Sequence, residues 1–144
     1  MAGGMLLCMS TARAVLGGDV DSVHADRVRF KGEHRQFALG QTTAHEITMG
    51  DGSVVKQYVN ASGLVFAVSW RTRLKPDLGN LLGVHYPPAH LQGSTISGVA
   101  AARREQTVRQ PNLVVRRGGR MNAFAGLAYL PGAVPRGLDA ETLR

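Results

Sequence analysis

The sequence predicts an α+β domain: an antiparallel sheet of four to five strands built from two hairpins, with one or two helices packed on one face. Three observations carry that expectation. Asp51-Gly52 separates two β-rich runs, which is among the strongest short hairpin signals. Six of the seven residues 64–70 are apolar, as in a strand buried on both faces. Over residues 19–31 the acids come first and the bases last, which complements a helix dipole.

Taken in order, the chain opens on a leader. Met5-Leu6-Leu7-Cys8-Met9 is a short apolar run, and Ala12-Arg13-Ala14 satisfies the small-x-small rule for signal-peptide cleavage. Residues 1–14 are therefore read as the remnant of a secretory signal whose basic opening lies upstream, and residues 15–144 as a single domain. Leu7 is too bulky to precede a lipidated Cys8. Cleavage after Ala14 removes the only cysteine, and with it disulfide, thiol and zinc-thiolate chemistry.

Leu16-Gly17-Gly18 then reads as a flexible joint, and 19–31 as a helix whose apolar positions Val20, Val23, Val28 and Phe30 are sparse. Strands follow over 38–48 and 53–59, joined by Gly50-Asp51-Gly52. A turn at Asn60-Ala61-Ser62-Gly63 leads into the central strand 64–70. Pro76-Asp77-Leu78 opens a short helical turn holding Leu81 and Leu82, and Gly83 ends it. Tyr86-Pro87-Pro88 breaks the chain before a helix over 97–106, rich in alanine and arginine. The second hairpin comprises 113–117, a Gly118-Gly119 turn, and 120–130. In the turn-rich tail, Asp139 is placed to cap a last helical turn.

Composition narrows the function classes. The 144 residues carry 17 Lys+Arg against 10 Asp+Glu, a formal net charge of +7, with 44% apolar and 6% aromatic residues. That is room for one modest core, and it excludes wholesale disorder, collagen and coiled coil. No stretch approaches the length of apolar sequence a spanning helix requires, so the chain is expected not to be transmembrane.

Catalytic constellations are sought without result. There is no phosphate-cradling glycine loop with its Lys and Ser or Thr, and no dinucleotide fingerprint. Ser94 and Ser97 lack the flanking glycines of a nucleophile elbow. His45-Glu46 lacks the second histidine of a metalloprotease helix and falls in an expected strand, where neighbours face opposite ways. His85 and His90, with Asp77, are the least implausible catalytic actors, yet nothing nearby supplies a third metal ligand. No enzyme, no cofactor and no metal is expected.

The charge itself is one-sided. Residues 1–70 hold six basic and six acidic side chains, and residues 71–144 hold eleven basic and four acidic, so the second half carries the whole +7. Ten of those eleven are arginines, suited to carboxylate and phosphate. Arg116, Arg117 and Arg120 cluster at the expected hairpin tip as a candidate anion-binding patch. They are equally readable as charges guarding edge strands. Base-stacking aromatics are not interleaved with them, and export would remove nucleic acid as a partner. Anionic envelope components or another protein remain. Phe66, Trp70 and Tyr86 form a candidate apolar wall for a small-ligand pocket, or ordinary core packing.

The succession Leu16-Gly17-Gly18, Ala25-Asp26-Arg27, Asp51-Gly52 with Tyr58-Val59, and Gly63-Leu64-Val65-Phe66-Ala67-Val68-Ser69-Trp70 resembles the proteobacterial family known as domain of unknown function 2844. The likeness continues through Pro76-Asp77-Leu78, Leu81-Leu82-Gly83, Gly119-Arg120-Met121 and residues 123–131. It implies an exported, periplasmic or secreted bacterial protein and supplies no catalytic residues. The expected function is a non-enzymatic binding or structural module of the cell envelope. The alternatives are a small-ligand binder near Trp70 and Tyr86, or an enzyme of unrecognised type.

Overall fold

The computed structural model describes residues 16–83, 106–120 and 122–143. The chain is mostly β. Seven antiparallel strands form one sheet: β1 (Glu33–Leu39), β2 (Thr42–Thr48), β3 (Val54–Val59), β4 (Val65–Thr72), β5 (Gln106–Gln110), β6 (Leu113–Arg120) and β7 (Ala123–Tyr129). Their spatial order is β1-β2-β3-β4-β7-β6-β5. Two meanders, β1 to β4 and β5 to β7, are joined at the central β4–β7 pair. The helical pieces among the described residues are α1 (Val20–Phe30), the five-residue α2 (Leu78–Leu82) and two 3-10 turns, Pro131–Ala133 and Ala140–Thr142.

This corrects the expected α+β sheet of four to five strands, and three local causes account for the difference. The single strand expected over 38–48 is a hairpin, because the lone Gly40 turns the chain at φ +62°, a conformation that suits glycine. The expected helix over 97–106 lies outside the described residues except at Gln106, and Gln106 opens β5. The pair Gly118-Gly119 is not a turn. β6 runs through both glycines to Arg120, and the chain reverses beside Asn122, whose φ is +64°. Gly119 is required there by close approach: a Cβ on it would lie 2.7 Å from the Phe124 Cα on β7.

The sheet has a core on each face. On one side Val55, Val68, Trp70, Val115 and Ala128 meet Leu16, Val23 of α1, and Leu78, Leu81 and Leu82 at α2. On the other, Ala44, Tyr58, Phe66, Ala67, Val114, Leu127 and Tyr129 meet Ala140 and Leu143 of the C-terminal tail. Leu16-Gly17-Gly18 is no flexible joint. Leu16 is buried, its amide donates to the Leu81 carbonyl, and the Gly17 amide donates to the Val65 carbonyl at 2.8 Å.

A β-bulge decides which residues share a face. Tyr58 pairs with Ala67 but Val59 pairs with Val65, so Phe66 is an extra residue on β4. Phe66 and Ala67 consequently both join the tail-side core, while Val65, Val68 and Trp70 join the helix-side core.

Candidate functional site

A cleft of about 330 Å³ opens on the tail side of the sheet, lined by Arg71, Arg116, Arg117, Glu141, Leu127 and Leu143 among others. Register explains why it exists. Arg71 on β4 stands opposite Ala125 on β7, and Ala125 stands opposite Gly118 on β6. A methyl and a hydrogen are all that fill two adjacent positions of that row, so the sheet backbone forms the floor. The next row on the same face is Ser69, Leu127, Arg116 and Thr107, which supplies one inner wall. Two guanidiniums, those of Arg71 and Arg116, thus face a small void against one carboxylate, while Arg117 borders it and the alternation of β6 turns its side chain to the helix side with its partner Gly126.

That carboxylate is placed by the tail. Buried Ala140 and Leu143 anchor the 3-10 turn, and Asp139 caps it as expected, its Oδ1 accepting from the Glu141 amide at 3.0 Å. Glu141 then accepts from Arg116 Nη1 at 3.1 Å, from Arg109 Nη2 at 3.3 Å and from the Tyr129 hydroxyl at 3.3 Å. Burial, and after it the neighbouring Glu141 charge, raise the Tyr129 phenol above its ordinary value. Arg116 is held in place by this contact, and the ordered guanidinium is one that a second anion can meet without a large entropic cost.

Of the three arginines singled out from sequence, Arg116 turns its side chain to the cleft, whereas Arg117 borders it and sends its side chain to the opposite face of the sheet. Arg120 is exposed at the end of β6, opposite Ala123, and is not among the lining residues. Sequence reasoning missed Arg71 and Glu141. The alternation of β4 carries the signal for Arg71, but only once the bulge at Phe66 is known.

Of the candidate apolar wall, Phe66 and Trp70 do not come together. Phe66 and Trp70 belong to cores on opposite faces of the sheet, because the bulge reverses the alternation between them. Tyr86 lies outside the described residues, as do His85 and His90. Asp77 is exposed just ahead of α2.

His45 and Glu46 face opposite ways. Glu46 pairs with Lys56 at 3.3 Å, while His45 is buried and its Nδ1 lies 3.0 Å from His34 Nε2 on β1. The two rings are parallel within 6° at 5.2 Å, and His24 of α1 meets His34 edge-on at 6.1 Å. Burial first, then the charges of His34 and His24, hold His45 below the ordinary histidine range. This three-histidine cluster has no sequence signature, since its members come from three elements. Among the described residues, no group of three or more His, Cys, Asp or Glu side chains is arranged to hold a metal ion. No described helix is long and apolar enough to cross a membrane.

Fold and site together define a mostly β protein, one antiparallel sheet covered on both faces, with an arginine-lined cleft clasped by its own C-terminal tail. A family model described as Protein of unknown function (DUF2844) matches residues 12–143, and the chain belongs to that family, as the motif resemblance implied. No match is found among the curated proteins or the solved structures.

Proposed function

We propose that this chain is a non-enzymatic binding module of the bacterial cell envelope, exported by its N-terminal leader, which meets an anionic partner through the cleft of Arg71 and Arg116. One observation carries the reading. Two guanidiniums, Arg71 of β4 and Arg116 of β6, face a cavity of about 330 Å³ floored by Ala125 and Gly118. Guanidinium is the side chain best matched to planar and tetrahedral oxyanions, and a concave site raises its effect by limiting solvent. Export is supported by the apolar run before Ala12-Arg13-Ala14.

The test is retention on immobilised heparin, as a generic polyanion, at low salt. The wild-type chain is expected to bind, and the Arg71→Ala/Arg116→Ala variant to elute at distinctly lower salt than either the wild type or Arg120→Ala, whose arginine lies outside the cleft. An unchanged elution position sinks the proposal.

A further inference from the structure

We infer that the cleft is a site for a small organic anion, a carboxylate or phosphate on a short apolar body, and not merely a charged stretch of surface. The inference rests on the proposed anion contact and goes further by naming what is seated. The volume is at the small end of the range for ligand pockets. A group of a few heavy atoms fits within it, whereas a polymer meets only the guanidiniums at its rim, which substitutions on the floor leave in place.

The lining divides by chemistry. Arg71 and Arg116 provide donors for one oxyanion. Leu127, Leu143 and the Ala125 methyl provide an apolar end for a short hydrocarbon. Glu141 shows that the adjoining guanidinium accepts a carboxylate in this geometry, since it already holds one at 3.1 Å. The same Glu141 limits the ligand's charge, because a second anionic group directed at the tail would meet a carboxylate. Ala125 and Gly118 make the seat possible, and any longer side chain there would occupy it.

The probes are butyrate and inorganic phosphate, titrated into the full chain at low ionic strength while backbone amide shifts are followed by NMR. Both are expected to give saturable shifts centred on residues 116–118 and 125–127, with butyrate tighter than acetate by at least about threefold because its added methylenes reach the leucines. Arg71→Ala should weaken either probe at least about tenfold. Ala125→Leu should abolish the saturable shifts without removing a charge, and its amide spectrum reports directly that it is folded. Heparin retention of Ala125→Leu should match wild type. Absence of saturable shifts in the wild-type chain overturns the inference, as does their survival in Ala125→Leu. Either result leaves the polyanion reading standing, since that reading fails only if the Arg71→Ala/Arg116→Ala variant keeps its heparin retention.

Discussion

Trp70 and Gly126 are cross-strand partners on β4 and β7, and the indole lies against the glycine where a side chain would otherwise stand. A Cβ at Gly126 would be 2.6 Å from Trp70 Cε2 and 2.6 Å from the Arg116 carbonyl oxygen. One neighbour is backbone and the other a buried ring, so neither yields cheaply. Gly126→Ala is expected to cost about 1–3 kcal/mol through overpacking. Gly132→Ala, which has nothing within 4 Å, should stay within about 0.5 kcal/mol of wild type. Trp70 is the only tryptophan, so urea unfolding followed by its fluorescence reads both variants. Equal stability of the two would show that the indole does not rest on that position.

The same pair marks the boundary of what could be read from sequence. β3 and β4 were legible because an apolar run beside Asp51-Gly52 has only one economical solution, and Asp139 was legible because capping is local. The β1–β2 turn was hidden in a strand-like run interrupted by a single glycine. Gly118-Gly119 misled for a related reason. Glycine marks a turn and a close packing contact with the same letter, and only the partner strand distinguishes them. The bulge at Phe66 inserts one apolar residue into an apolar run, so nothing in the pattern changes while every later side chain changes face. At the site, Arg116 and Arg117 stood out as neighbours in sequence. Arg71 and Glu141 join Arg116 through strand pairing and tail docking, over separations that no local pattern records, while alternation along β6 turns Arg117 to the other face.

Acid should loosen the α1–β1–β2 corner. The contact between His34 Nε2 and His45 Nδ1 needs one nitrogen as acceptor, so it is lost when both rings are protonated. His45 is held below its unfolded value of 6.5 by burial and by the other two histidines. The unfolded chain therefore binds more protons as pH falls, and the contribution of neutral His45 is fully present above that value and declines as pH drops through it. Between about pH 7.5 and pH 5 the stability should fall with a slope of at most about 1.4 kcal/mol per pH unit from this one group. His45→Gln should flatten that part of the curve, measured as urea midpoint against pH. A variant with the wild-type slope would assign the pH dependence elsewhere.

Asp139 and Glu141 should act as one unit. Asp139 fixes the backbone amide of Glu141, and Glu141 ties the tail to Arg109, Arg116 and Tyr129. Both arginine contacts are partly open to solvent, so each is worth little alone. Asp139→Ala and Glu141→Ala are each expected to cost about 1 kcal/mol. The double variant should cost less than the sum by about 0.5 kcal/mol or more, because the second loss removes a contact the first has already loosened. A double-mutant cycle in urea measures the coupling, and strict additivity would separate the cap from the clasp.

Leu16 ties the N-terminal end of the described residues to the core. Its side chain is 1% exposed in the helix-side core, and its amide and that of Gly17 bond to Leu81 and Val65. Cleavage after Ala14 would leave all of these contacts intact, with one residue to spare. A chain starting at Val15 is therefore expected to unfold at the same urea concentration as the full chain. Leu16→Ala in either form should cost about 2–5 kcal/mol, as for other large-to-small changes in a core. Protein recovered from a bacterial periplasm should begin at Val15 by N-terminal sequencing. Replacing Ala14 with a bulky leucine should leave the leader attached, since the residue before the cut must be small. Recovery of a chain that begins downstream of Leu16 would contradict the assignment, because that product would lack the buried leucine on which the N-terminal end of the domain depends.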